Sequence, residues 1–379
     1  MKYFDYAAST PMDPDVLEAY MQAASQVYGN TESLHDIGGK AQYILNECRK
    51  KLAGITGVKE EGLYFSSGGT ESNLLSLLAL AQGASSGKRH IISTHGEHAS
   101  VHSAMEYLKE HGFEVEYLSF TTEGTIDLQK LSLAIRDDTL LVSIQHVNSE
   151  IGSIQPIKEI SELIKGKDIL LHCDCVQSFG KVDLKSITPY MDSFTVSSHK
   201  IHGPKGVGAF YINPLHQAKP VFPGLSHERG MRGGTVNIPG IFAFMTASEK
   251  AAAKLDDWQA AWDKRDYFLE LLRNEKPHIF GSMDKDRQLP YIIGMAFDGI
   301  EGQLVMLEAN TMGFSISTGS ACHTGQQEPA NAMKAMGVDV ERAKSFFRIS
   351  FSKTTTHEQL FDLAKALKTI YAEYKTVRA

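Results

Sequence analysis

The stretch "VSSHKIHGPKG", from Val196 to Gly206, puts two serines, two histidines and two lysines into eleven positions. An ammonium shielded from water is costly, and a lysine that gives up its proton becomes a nucleophile able to form a Schiff base with a carbonyl compound. Lys200 directly follows the run "SFTVSSH", where the chain leaves a strand, whereas Lys205 sits in "GPKG", a turn expected to face solvent. Lys200 is therefore the candidate nucleophile.

Residues that could support such a lysine recur along the chain. In "FSSGGTESN" small residues separate a strand from a helix, so backbone N–H groups near Gly68, Gly69 and Thr70 can face an anion at the helix N-terminus. The stretch lacks the GK[ST] ending of a nucleotide loop, which leaves a plain turn or a site for a cofactor phosphate. Asp174 ends the apolar run in "LLHCDCVQ" and reads either as a capping carboxylate or as the group that keeps a pyridine nitrogen protonated. Strand alternation sends Cys173 and Cys175 to the opposite face, and without a second Cys/His pair at ligand spacing they are expected to be buried small residues rather than metal ligands. His98, in "HGEHASV", follows another strand and is either a cap or a site residue. Cys322 stands beside His323 in "STGSACHTGQQEP", a stretch without strand or helix period, so it is expected on an exposed loop, as a reactive thiol or an incidental one.

The elements that must position these residues alternate. "EGLYFSSGG" leads into "TESNLLSLLALAQG", "RHIIST" into "HASVHSAMEYLKEHG", and "TLLVSIQHVN" through "PIKEISELIKGK" into "DILLHCDCVQ". Strand-length apolar runs separated by helical patterns imply βαβ units and a mostly parallel sheet covered on both faces, with ligands bound beyond the carboxyl ends of its strands. A long segment with Trp258, Trp262, Leu269 and Leu272 at helical spacing reads as a packing stripe and marks the boundary to a smaller α+β part. That part closes with a helix whose Thr356 and Gln359 are spaced as a capping box. The expected division is a large domain over residues 16–255 and a small domain over residues 1–15 and 256–379.

Composition narrows the classes. A net charge of −7 without a lysine or arginine run argues against nucleic acid as a direct ligand. The start "MKYFDYAASTPMD" has no apolar targeting core, and "LLSLLALA" is too short to cross a bilayer. Four cysteines in 379 residues do not make a disulfide framework, which fits a reducing compartment; a cytoplasmic protein is expected.

Taken together, "FDYAASTP", "YGN" with "SLH", "SSGGTESN", "HVNSEIG", "DCVQSFGK", "SSHKIHGPKG", "HERGMRGGT", "TGSAC" and "RISFS" occur in the order in which they stand in cysteine desulfurases, and the chain resembles that family over almost its whole length. The resemblance implies the type I, aspartate aminotransferase-like fold of pyridoxal 5'-phosphate enzymes, a large domain with a mostly parallel sheet plus a smaller one. By the same resemblance Lys200 forms the Schiff base with the cofactor, Asp174 pairs with its ring nitrogen, Gln177 bonds its phenolic oxygen and His98 stacks on the ring. Gly69, Thr70, Ser197 and His199, with Ser198 in place of a frequent glycine, form the phosphate cradle, and Thr235 reaches the same phosphate from the neighbouring subunit of a homodimer. Asn148 lies near cofactor and substrate, and Arg348 binds the substrate carboxylate.

The implied reaction turns L-cysteine into L-alanine, with Lys200 moving the Cα proton and the Cys322 thiolate taking the sulfur as a persulfide. Acceptors would be an iron–sulfur scaffold, a client iron–sulfur enzyme, or a thiolation enzyme for tRNA or a cofactor. Two departures leave the acceptor open: "HTGQQEP" follows the cysteine where housekeeping members carry a serine-rich stretch, and the chain ends at "AEYKTVRA" without the extension that helps some relatives dock a scaffold. The competing expectations are a selenocysteine lyase or aminotransferase on the same fold, or a non-catalytic sulfur carrier or assembly protein.

Overall fold

Aliphatic and aromatic runs become the strands of a seven-stranded sheet, largely buried except at one edge. Its strands are β2 (Leu63–Ser66), β3 (His90–Thr94), β4 (Glu114–Leu118), β5 (Thr139–Ser143), β6 (Leu170–Asp174), β7 (Ser193–Ser197) and β8 (Gly208–Ile212), in the order β2-β8-β7-β6-β5-β3-β4. The pairs from β4 through β7 are parallel, while β8 runs antiparallel to both β7 and β2. The computed structural model describes residues 1–84, 87–255, 258–319 and 329–378.

Helices cover both faces, as near-continuous apolar strands require. On one face, α1 (Pro14–Gln26), α2 (Asp36–Thr56) and the helix Ile238–Ala252 pack over Phe65, Val142, Leu171 and Phe194. On the other, α3 (Gly69–Gly83) and α4 (Ala99–Glu110) pack over Ile91, Leu141 and Phe210. The run "LLSLLALA" belongs to α3, whose residues from Leu75 to Ala81 are all buried; its all-round hydrophobicity reflects burial in the protein. Among the described residues no helix is long and apolar enough to cross a membrane.

A second core forms around the antiparallel strands β9 (His278–Phe280), β10 (Ile292–Ala296) and β12 (Phe346–Ser350). Trp258, Leu269 and Leu272 of the predicted stripe pack into it, together with Leu363 and Leu367 of the helix His357–Arg378. That helix begins with the expected reciprocal cap, Gln359 N–H donating to Thr356 Oγ1 (3.2 Å) and Thr356 N–H to Gln359 Oε1 (2.9 Å). The chain start joins this part: β1 (Lys2–Tyr3) pairs in parallel with β11 (Phe314–Ser315), and Asp5 bridges to Ser350. The segment from Phe4 to Thr10 then runs back towards the large sheet.

The "HERG" stretch is held by a buried ion pair. Arg49 of α2 donates through Nη1 (2.8 Å) and Nη2 (2.9 Å) to Glu228, whose carboxylate also accepts the Phe65 N–H at 2.7 Å. Strand β2 is a sheet edge, so Glu228 satisfies an N–H that no strand reaches. Glu228 and Arg229 both sit in the left-handed region, at φ 50° and 56°, a conformation that only well-determined surroundings sustain. Glu228→Ala leaves Arg49 buried without its counter-ion and is expected to cost about 3–5 kcal/mol in chemical denaturation.

Candidate active site

The carboxyl ends of β3, β5, β6 and β7 and the start of α3 converge on a cleft of about 550 Å³. Its lining includes Gly69, Thr70, His98, Asp174, Gln177, Ser197, His199, Lys200 and Arg348. This is the edge at which open α/β sheets bind ligands, and it collects most of the residues singled out in the sequence.

Lys200 enters one turn after β7. Its Nζ donates to the carbonyls of Ala7 and Ala8, the latter at 2.9 Å, so the returning N-terminal segment holds the amine in place. Burial pushes the Lys200 pKa down to about 8, helped by the Arg348 guanidinium and partly opposed by Asp174 and Asp5. That leaves about a tenth of Lys200 neutral at pH 7, far more than for a lysine at its ordinary value, and the neutral amine is the form that makes a Schiff base. Lys205, by contrast, is exposed in its turn. His199 is also kept neutral, its pKa pushed down to about 4 by burial and then by Lys200 and Lys205.

Asp174 lies at the floor, 8% exposed. Its Oδ1 accepts the Val176 N–H (2.9 Å), and its Oδ2 accepts Asn73 Nδ2 (2.8 Å). Asn73 is locked in turn, its Oδ1 accepting from Thr195 Oγ1 (2.7 Å) and its Nδ2 reaching Ser100 Oγ (3.0 Å). Ser100 Oγ then meets His98 Nδ1 at 2.8 Å, so His98 caps α4 and lines the cleft at once. Asp174 and His98 are thus fixed by one network through Asn73.

The start of α3 forms the opposite wall. Its N-cap, Gly68, contributes no side-chain cap and adopts φ 149°, and a Cβ on Gly69 would come within 2.8 Å of Val176 Cγ2. The Ser197 Oγ is buried and lacks a partner among the described residues. An uncapped helix start beside an orphaned hydroxyl suits a phosphate. With Lys200 to take an aldehyde and Asp174 to face a protonated ring nitrogen, the residues present fit a phosphorylated pyridine aldehyde.

Arg348 projects from β12 across the cleft. Nη2 pairs with Asp5 Oδ1 (2.6 Å) and Nη1 donates to the Ser149 carbonyl (2.9 Å), while Nε has no partner among the described residues. Three predicted residues lie otherwise. The Asn148 carboxamide is turned into the protein, where Oδ1 accepts the N–H groups of Glu150 (2.9 Å) and Ile151 (3.0 Å). The Ser198 Oγ is buried next to Gly203, where an added Cβ would lie 2.1 Å from it. Thr235 is exposed in the segment before the helix Ile238–Ala252 and does not line this chain's cleft. Cys322 lies outside the described residues; Gly319 and Pro329, on either side of that stretch, both line the cleft. Cys173 and Cys175 are fully buried free thiols, and burial raises the pKa of both.

Sequence reasoning missed Asp5, Asn73, Lys181 and Glu97. Glu97 accepts from Thr94 Oγ1 (2.8 Å) and the Gln145 N–H (3.0 Å), and burial raises its pKa to about 8, so it is largely a neutral acid at pH 7. Its position directly before His98 in "HGEHASV" was the available signal.

A large mixed sheet, a smaller second part and a lysine at the strand ends define a type I aminotransferase fold, a pyridoxal-phosphate-binding architecture. The aminotransferase class-V family model matches residues 2–363. NifS of Bacillus subtilis (strain 168) is 44% identical over 378 residues, 99% of this chain and 96% of that one. The cysteine desulfurase IscS of Dictyoglomus turgidum is 35% identical over 99% of this chain and 95% of its own. A solved structure of a NifS-like protein superimposes with a TM-score of 0.89 at 33% identity, covering 99% of both chains. The chain belongs to the class-V aminotransferases, and within them to the NifS/IscS-like cysteine desulfurase family.

Proposed function

We propose that the cleft binds pyridoxal 5'-phosphate and desulfurates L-cysteine, yielding L-alanine and a persulfide on Cys322. The observation that carries this reading is the convergence of Lys200, Asp174 and Arg348 on one cleft whose rim includes Gly319 and Pro329. The bound cofactor would supply an electron sink next to the substrate Cα. Lys200 holds its carbonyl carbon, Asp174 its ring nitrogen, Gln177 its phenolic oxygen, and the α3 start with Ser197 and His199 its phosphate.

The chain's own residues do the rest. Arg348 binds the substrate carboxylate, and Asp5 and the Ser149 carbonyl hold the guanidinium in the required orientation. Lys200, released as a neutral amine, takes the proton from Cα and is placed to return it. The Cys322 thiolate attacks the substrate sulfur, so that the S–S bond forms as the Cβ–S bond breaks. The electron pair of the broken bond and two protons complete alanine, and no external oxidant is needed.

The persulfide is then passed to a sulfur-acceptor protein: an iron–sulfur scaffold, a client iron–sulfur enzyme or a thiolation enzyme. The exposed Thr235, which does not line its own cleft, supports a homodimer in which it serves the partner's phosphate site. A persulfide-forming thiol supports a reducing, cytoplasmic setting. The test is the release of sulfide and alanine in equal amounts from L-cysteine with a thiol reductant. Arg348→Ala is expected to lower kcat/KM by about 100-fold, as loss of a buried bidentate partner of a carboxylate implies. An unchanged kcat/KM would remove Arg348 from the substrate site.

A further inference from the structure

Lys181 is a second partly buried lysine beside the cleft that the reaction as described does not use. It follows Gly180, whose φ of 70° and close approach to Ala251 and Ile201 turn the chain so that Lys181 lies back against Gln177. The Lys181 Nζ donates to Gln177 Oε1 at 3.0 Å, and Gln177 Nε2 donates to the Ala7 carbonyl at 2.7 Å. Lys200 Nζ donates to that same carbonyl. The two lysines are thus joined through one amide and one peptide group, and both line a cavity of about 280 Å³ behind the cleft.

A carboxamide can bind in either of two orientations, and here each end has a partner. The Ala7 carbonyl cannot donate, so Nε2 must face it, and Oε1 is left to accept from Lys181, which can donate as an ammonium or as a neutral amine. One Nε2 hydrogen is left over as a donor. We propose that Lys181 is a positioning residue that fixes the Gln177 amide as a donor towards the cofactor.

The surroundings suit this role. Among the described residues no carboxylate is paired with Lys181, and burial, Lys200 and Arg348 together push its pKa down to about 7. Asp174 and Asp5 face Lys200 and favour its ammonium, while Arg348 opposes it. Across the cavity lie His202, Lys254 and Lys353, with Lys250 there paired to Asp13. His202 is held towards its neutral form by burial. Near pH 7 Lys181 is therefore shared between ammonium and neutral amine, and in either form an N–H can donate to Gln177 Oε1.

The inference rests on Lys200 as the carbonyl-binding lysine, and the test separates the two. In pyridoxal phosphate titrations Lys181→Met is expected to weaken binding about threefold to tenfold, and Lys181→Gln, which keeps a donor for Gln177, is expected to retain it. Unchanged cofactor affinity in Lys181→Met, or an equal loss in Lys181→Gln, overturns the positioning. If Lys181→Met fails to fold, Lys181→Leu replaces it. Borohydride trapping of the cofactor elsewhere than on Lys200 would remove the premise, a result distinct from any change in affinity.

Discussion

Lys200→Met is expected to abolish alanine formation from L-cysteine, by at least about 10³-fold, while leaving the cofactor-free protein as stable as the wild type below pH 8. The kinetic loss follows from deleting both the covalent anchor and the base that moves the Cα proton. The stability expectation follows from linkage. Lys200 has its pKa depressed in the folded state, to about 8 against 10.5, so the unfolded chain binds more protons between those values and folding disfavours the ammonium. The penalty is fully present below pH 8, fades as pH rises through the window and is gone above the unfolded value. Methionine keeps the stem and removes the charge, so relief of that penalty offsets the lost hydrogen bonds to Ala7 and Ala8, each worth about 1 kcal/mol. Melting curves at pH 7 and pH 10 check the sign: the variant should stand at or above wild type at pH 7 and lose ground at pH 10. A variant that melts well below wild type at pH 7 would show that Lys200 is a structural contact rather than a strained amine. External amines such as methylamine should restore part of the activity only if proton transfer, and not folding, was lost.

The site was legible in the sequence where position along a strand decided it. Asp174, Lys200 and His98 each stand just beyond an apolar run, and the sheet delivers each of those ends to one edge. Cys173 and Cys175 followed from alternation alone, and both are buried. The residues that were not legible act across the fold. Asn73 closes the polar first turn of α3, just before its apolar run, and becomes functional only because α3 crosses the ends of β6 and β7, where it meets Asp174 and Thr195. Asp5 and the Ala7 carbonyl matter because the chain start returns from β1 to Lys200 and Arg348, a path that no local pattern encodes. Lys181 reads as an ordinary surface lysine until Gly180 folds it back onto Gln177. The reversal of β8 also escaped periodicity, although only ten residues separate it from β7, which is short for a parallel crossover.

Cys322→Ser separates the desulfurase from its rivals on the same fold. The variant is expected to bind pyridoxal phosphate as wild type does, because none of the residues assigned to the cofactor is changed, and to lose sulfide and alanine production by at least about 10³-fold. A serine hydroxyl stays protonated near neutral pH and cannot form a stable bond to sulfane sulfur, whereas a thiol is partly ionised and strongly nucleophilic. The remaining cysteines cannot substitute: Cys48, Cys173 and Cys175 are buried, and burial raises the pKa of each, to about 12 for Cys48. An aminotransferase would keep its rate, since amino-group exchange needs Lys200, Asp174 and Arg348 but no thiol. A selenocysteine lyase would keep activity on selenocysteine, because selenium leaves the Cβ carbon without a nucleophile to draw it off. A non-catalytic carrier would show no turnover in wild type to lose. The decisive readout is therefore the pair of rates on cysteine and selenocysteine, together with mass spectrometry of the wild type after one turnover. A gain of one sulfur atom on the peptide containing Cys322, absent in the serine variant, is the expected result; turnover of cysteine at the wild-type rate by Cys322→Ser would overturn the persulfide mechanism while leaving the cofactor assignment standing.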